Sequence, residues 1–265
     1  MKKENPIGIF DSGMGGLTVL KEVANKLNNE NIIYFGDTAH LPYGNKSRNT
    51  VSKYSYAIAE FLKLKNIKLM VVACNTASVF ALESLREKFN IPIIGVVDSG
   101  VNAAVREAKN SVGIIGTYAT VKSKVYENKI RKINSKIQIY SRSCPLFVPL
   151  VEEGWLDHPV TKRVAEIYLN NLKEKIDSII LACTHYPMIK NVISETLGRE
   201  IAIIDSAVEV AKEVKNKVSE MKMENKTNKK QEIKYFVSDS PELFKKEGTI
   251  FMGKRIENVS LVEID

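Results

Sequence analysis

The feature that most limits this chain is a series of short apolar runs, rich in Ile and Val, without polar alternation. PIGIF (6–10), NIIYFG (31–36), KLMVVAC (68–74), IPIIGVV (91–97), SVGIIGT (111–117), KIQIYSR (136–142), DSIILAC (177–183) and EIAIID (200–205) are of this kind. A strand that is apolar throughout is covered on both faces, as the strands of parallel sheets are. Longer amphipathic stretches separate the runs, among them LTVLKEVANKL, RNTVSKYSYAIAEFLKLK and HPVTKRVAEIYLNNLKEK. Strand then helix, repeated, predicts a doubly wound parallel α/β fold. A last apolar run, TIFMG (249–253), is read as one more strand.

One short pattern is written twice. MVVACNTAS (70–78) and SIILACTHYP (178–187) each carry an apolar run, Ala, Cys and a polar helix-capping residue. The repeat predicts two similar lobes with a cleft between them. The first spans residues 1–97 and is completed by 206–265; the second spans 98–205. Several apolar runs end in capping residues: Asp11-Ser12-Gly13, Asn75-Thr76, Asp98-Ser99-Gly100, Thr117, Thr184 and Asp205-Ser206. Ligands of open parallel sheets bind beyond the carboxyl ends of the strands, so function is sought at these points.

Composition excludes several classes. No apolar run approaches the roughly 18 residues of a membrane span. The opening MKKENPIGIF enters a strand directly, so no signal peptide is expected. Three cysteines, odd in number and far apart, make neither a disulfide framework nor a C-x-x-C dithiol. Reduced thiols and a cytoplasmic location are expected. The net charge of +8 owes much to lysine-rich helices and to the run at 212–231. That run lacks an accompanying arginine-and-aromatic patch, so it reads as a solvated helix end and loop, with no nucleic-acid partner expected. Only Cys183 and His185 lie close together among candidate metal ligands, so no metal is expected.

An isolated cysteine after an apolar strand is most often a small buried hydrophobe. Cys74, however, precedes Asn75 and Thr76, and a thiol at a helix N-terminus feels the positive end of the dipole, which favours thiolate. Cys183 stands in the same frame before Thr184 and His185. One cysteine suffices for acyl transfer. Two that face each other across a cleft suit proton removal from one face of a carbon and delivery to the other. That is stereoinversion without a cofactor, in which each thiol is acid in one direction and base in the other.

The remaining candidates are weaker one by one. GIFDSGMGGLTVL (8–20) is a strand-to-helix turn whose N–H groups suit an anion, with Asp11 at the strand end; its spacing is not that of a dinucleotide fingerprint. YFGDTAHLPYG (34–44) turns through Pro42-Tyr43-Gly44, and His40 reads as a surface residue. Cys144 reads as a buried structural thiol, and Glu152 or Glu153 is placed to reach a cleft.

Together, FDSGMGGLTVL, YFGDTAHLPYG, VVACNTAS, GTYAT, CPLFVPLVEEG, LACTHYP and the late SDSPELF…FMG closely resemble the glutamate racemase family over nearly the whole chain. The resemblance implies a two-domain α/β enzyme, usually a homodimer, that racemises glutamate without a cofactor and supplies D-glutamate for peptidoglycan. It implies that Cys74 works on the D-enantiomer and Cys183 on the L-enantiomer. Asp11 is implied to assist the first thiol, and His185 and Glu152 the second. Substrate contacts are implied for Asp11, Ser12, Tyr43, Gly44, Asn75, Thr76, Thr117, Thr120, Thr184 and His185. Where many relatives carry an arginine before the Pro-Tyr-Gly turn, this chain has His40-Leu41, and the lysine-rich stretch near 222–231 looks peculiar to it.

Three rivals stand beside this reading. An aspartate racemase differs by one methylene of substrate, a difference of only about 1–3 kcal/mol to a pocket. A binding module using the basic surface predicts steep salt dependence and indifference to both thiols. A single-thiol hydrolase predicts a covalent intermediate.

Overall fold

The structure is a computed structural model that describes residues 2–227 and 230–264. Among the described residues, ten strands build two parallel sheets. They are β1 (Ile7–Asp11), β2 (Ile32–Gly36), β3 (Leu69–Val72), β4 (Ile93–Gly95), β5 (Ser111–Gly116), β6 (Gln138–Ser143), β7 (Ser178–Ala182), β8 (Ala202–Asp205), β9 (Ile233–Val237) and β10 (Val259–Leu261). The first sheet has the order β10-β9-β2-β1-β3-β4 and the second β6-β5-β7-β8. Helices alternate with strands throughout, giving an α/β fold of two doubly wound sheets.

Every strand pair is parallel, so each sheet has one edge where all its carboxyl ends emerge. Strands β1, β3, β5 and β7 are buried at every position, which explains their unbroken apolar sequence. The sheets share one hydrophobic core. It runs from Ile9 and Val71, through Val210 and Val214 of the helix Ser206–Glu220, to Ile179 and Leu181.

One expectation fails at the C-terminus. TIFMG is not a strand: residues 249–252 are the last turn of the helix Pro241–Met252, and Gly253 caps it with φ +67°. Phe244, Gly248, Phe251 and Met252 are its buried face, a helical spacing that a five-residue window cannot reveal. The strands of that region are instead β9 and β10, which extend the first sheet beside β2. The run at 91–97 is also shorter as a strand than its sequence reads, because Val96 and Val97 open the helix Val96–Glu107.

The lysine-rich run begins on the outer face of the helix Ser206–Glu220, where Lys212 pairs with Glu209 at 2.6 Å and Lys217 with Glu220 at 3.3 Å. Its residues 228 and 229 lie outside the described residues. Among the described residues no helix is long and apolar enough to cross a membrane.

Candidate active site

A cavity of about 310 Å³ opens at the carboxyl ends of both sheets. Its walls come from the turns after β1 (Ser12, Gly13), β3 (Cys74, Asn75, Thr76), β5 (Thr117) and β7 (Cys183, Thr184, His185). Tyr43 and Gly44 close one side and Glu152 another. Of the candidate residues, Asp11 and Thr120 are not on the wall but directly behind it. No Lys or Arg among the described residues lines the cavity, and its charged groups are Glu152 and His185.

Cys74 caps its own helix. Its backbone is extended, and its sulfur accepts the Ala77 N–H at 3.4 Å at the start of the helix Asn75–Lys88. It also donates toward the Ser12 hydroxyl at 3.7 Å. The helix N-terminus leads one to expect a thiolate, and here burial wins instead. Burial, then the Asp11 carboxylate, pushes the Cys74 thiol up to about 12, against the pull of the Ala77 N–H and the Ser12 hydroxyl. Cys74 therefore keeps its proton at neutral pH.

The second cysteine frame is built differently. Thr184 follows it, and then only a short 3₁₀ turn, Tyr186–Ile189. The partner of Cys183 is a side chain: His185 Nδ1 lies 3.9 Å from its sulfur. His185 Nε2 lies 3.0 Å from Glu152 Oε1. Burial works against a charge on His185, yet Cys183 and Glu152 outweigh it and hold the imidazolium up to about 10. At neutral pH the ring is cationic and donates at both nitrogens.

Asp11 ties the halves together. It is fully buried, accepts the Gly13 N–H at 3.1 Å, and receives the Thr184 hydroxyl at 3.4 Å from the other sheet. Burial pushes its carboxyl up, while cationic His185 and the N–H groups of Gly16, Gly13 and Ser12 draw it down. Gly15 is required here for space: a Cβ would lie 2.4 Å from both His185 Nδ1 and Thr184 Oγ1. Across the cleft, the hydroxyls of Thr76, Thr117 and Thr120 form a triangle with sides of 3.0 to 3.2 Å. Gly44 lies against Thr117, where a Cβ would approach to 2.8 Å.

Residues that sequence reasoning did not assign to the site also brace it. Tyr43 donates to Asp37 Oδ2 at 2.5 Å, and the other oxygen of that buried carboxylate takes Ser238 at 2.7 Å and His40 Nδ1 at 2.8 Å. His40 is thus half-buried rather than a free surface residue, stacked on Tyr54 at 3.8 Å. Burial and Asp37 push the Tyr43 phenol far above its ordinary range, so it stays a donor. Pro145, Val148 and Pro149 cover the cavity beside Glu152. Their signal in the sequence was their place in CPLFVPLVEEG, the segment that carries Glu152. Cys144 is fully buried in the shared core. Among the described residues no group of three or more His, Cys, Asp and Glu side chains is arranged to hold a metal ion.

The sequence model of the Asp/Glu/hydantoin racemase family matches residues 7–214. A glutamate racemase of Geobacter metallireducens is 46% identical over 261 residues, 98% of this chain and 97% of that protein. The crystal structure of glutamate racemase from Francisella tularensis in complex with D-glutamate is similar with a TM-score of 0.93, at 38% identity and 99% coverage of each chain. A glutamate racemase isoform from Bacillus anthracis gives a TM-score of 0.95 at 34% identity, with 98% of each chain covered. With likeness running the full length of both sequence and fold, the chain belongs to the Asp/Glu/hydantoin racemase family and is a racemase.

Proposed function

We propose that the protein interconverts L- and D-glutamate without a cofactor, with Cys74 and Cys183 as the acid and base. The observation that carries this reading is that two free thiols, from the strand ends of two different sheets, line one cavity. In the L-to-D direction the Cys183 thiolate takes the α-proton and the Cys74 thiol delivers its own to the opposite face. In the D-to-L direction the roles exchange. The protonated Cys74 supports its part as the acid in the L-to-D direction, and the cationic His185 offers the Cys183 sulfur a donor from 3.9 Å.

The α-carbon is far less acidic than a thiol, so the carbanion has to be stabilised as charge flows into the carboxylate. Asn75, Thr76, Thr117 and Thr184 offer neutral donors in a largely enclosed space, where each is worth more than in water. In this reading Asp11 orders the Gly-rich turn and Thr184, and Ser12 helps Cys74 carry charge. Tyr43 and Gly44 shape the wall, and Thr120 supports Thr76. The first lobe is residues 1–97 with 206–265, the second is 98–205, and catalysis happens between them. Glutamate is chosen over aspartate because the full-length relatives reported above bear that name. The product serves peptidoglycan synthesis in the cytoplasm, and the working form is a homodimer.

The test is incubation with D-glutamate in deuterated water, following optical rotation and α-deuteration, with D-aspartate in parallel. Rotation should decay to zero as deuterium enters. Because enantiomers have equal free energy, kcat/KM must come out equal in both directions. Cys74→Ser and Cys183→Ser should each lose about 10²–10⁴-fold, the usual contribution of a positioned acid or base. Wild-type protein that leaves D-glutamate unchanged overturns the reading, as does full activity in either serine variant.

A further inference from the structure

Asn75 is the first residue of the helix Asn75–Lys88 and stands on the cavity wall directly after Cys74. Its side-chain oxygen does not face the cavity. It accepts a 2.6 Å hydrogen bond from the phenol of Tyr126, which projects from the helix Val125–Ile133 beside the second sheet. Among the described residues the Asn75 NH₂ has no protein partner, although the residue is only 3% exposed.

An asparagine amide is nearly symmetric in shape and opposite in chemistry at its two ends: two donors on one, two acceptor lone pairs on the other. Which end meets a ligand depends on what holds the far end. A substrate carboxylate on the cavity side is attracted by NH₂ and repelled by C=O. Tyr126 is buried among Val97, Val101 and Ile130, so its ring is fixed. Burial pushes its phenol well above the ordinary range, so the proton remains on it as a donor.

We propose that Tyr126 is a positioning residue: its phenol holds Asn75 by the carboxamide oxygen, so that the Asn75 NH₂ is presented to the α-carboxylate of the substrate. The inference rests on the racemase reading of the cavity and adds to it a residue remote in sequence. The hydrogen bond also crosses between the sheets. Beside the phenol oxygen lies the Ser206 hydroxyl, which donates at 3.3 Å to the carbonyl of Leu181, two residues before Cys183. Tyr126 therefore links the segment after one thiol to the segment before the other, and fixes the donor face with respect to both.

Tyr126→Phe keeps the ring and removes only the hydroxyl. The amide then loses its preferred orientation and, when flipped, turns acceptors on the carboxylate. A lost hydrogen bond of this kind lowers kcat/KM for glutamate about tenfold, with kcat falling as well as KM rising, because the same donor faces the charge that develops on the carboxylate. The test is a double-mutant cycle with Asn75→Ala, with thermal unfolding of each variant measured alongside. In the Asn75→Ala background, Tyr126→Phe should change kcat/KM by no more than about twofold. An equal loss in both backgrounds, or no loss in the first, overturns the proposal. A second readout needs no variant: the side-chain NH₂ resonances of Asn75 should move on addition of D-glutamate, and static resonances at saturation overturn it. If the wild type racemises no amino acid, the racemase reading fails and takes this inference with it. If the wild type racemises glutamate and the cycle is additive, only the role of Tyr126 is lost.

Discussion

Replacing Glu152 by Gln tests the electrostatics of the second half of the site. The two side chains are nearly isosteric, and the amide oxygen can still accept from His185 Nε2 where the carboxylate stands at 3.0 Å. What is lost is the negative charge. A hydrogen bond to a charged group contributes about 1.5–3 kcal/mol, against about 1 for a neutral one. Glu152 is 29% exposed, so solvent trims the difference. A net loss of about 1.4 kcal/mol lowers the pH at which His185 sheds its proton by about one pH unit.

The wild-type ring should titrate near pH 10. It should be followed by its NMR signals, with His185 identified by their disappearance in His185→Asn. The same linkage has a fixed sign in stability. The native state binds the His185 proton more tightly than the unfolded chain, whose ordinary value is 6.5. The resulting stabilisation is complete below pH 6.5, declines as pH rises, and is gone above about pH 10. Wild type and Glu152→Gln should therefore differ in stability by the full about 1.4 kcal/mol at neutral pH and converge as the pH passes about 10. A variant whose His185 titrates at the wild-type pH would refute the assignment of Glu152 as one of the two groups that hold the imidazolium.

Three further outcomes are expected. Gly15→Ala puts a methyl group 2.4 Å from His185 Nδ1 and Thr184 Oγ1, so both must shift; overpacking costs about 1–3 kcal/mol. Racemisation should fall more than the melting temperature explains, and unchanged kcat/KM would show that the site tolerates the displacement. Lys68→Met removes a fully buried ammonium that pairs with Glu30 and donates to the carbonyls of Lys3 at 2.6 Å and Met223 at 2.8 Å. Breaking such a pair costs about 3–5 kcal/mol, read by urea unfolding; a loss under about 1 kcal/mol would contradict the clamp. Raising the pH toward 12 should ionise Cys74, since burial and Asp11 hold its thiol up to about 12. The thiolate absorbance of Cys74, isolated by difference against Cys74→Ser, should thus be missing at pH 9, and its presence there would overturn that charge state.

The sequence by itself determined the class of fold and where along the chain to look for a site. Strands covered on both faces have to be apolar at every position, so β1, β3, β5 and β7 announce themselves. Parallel strands put their carboxyl ends on one edge, so the capping residues after those runs mark one region of space. The same reasoning misread TIFMG, because five apolar residues fit a strand and a helix end equally, and packing of Phe244, Phe251 and Met252 on the core decides between them.

Only the tertiary structure decided how the site is charged and braced. Two cysteines in the same sequence frame meet different surroundings: a helix N-terminus, burial and Asp11 around Cys74, and the His185–Glu152 pair beside Cys183. Asp37 behind Tyr43 lies inside YFGDTAHLPYG, but nothing in that segment pairs the two, and Tyr126 behind Asn75 carries no local pattern at all. Periodicity reports which face of an element is buried. Proton affinity and amide orientation depend on neighbours that tertiary packing brings within hydrogen-bond reach, Glu152 for His185 33 residues away and Tyr126 for Asn75 51 residues away.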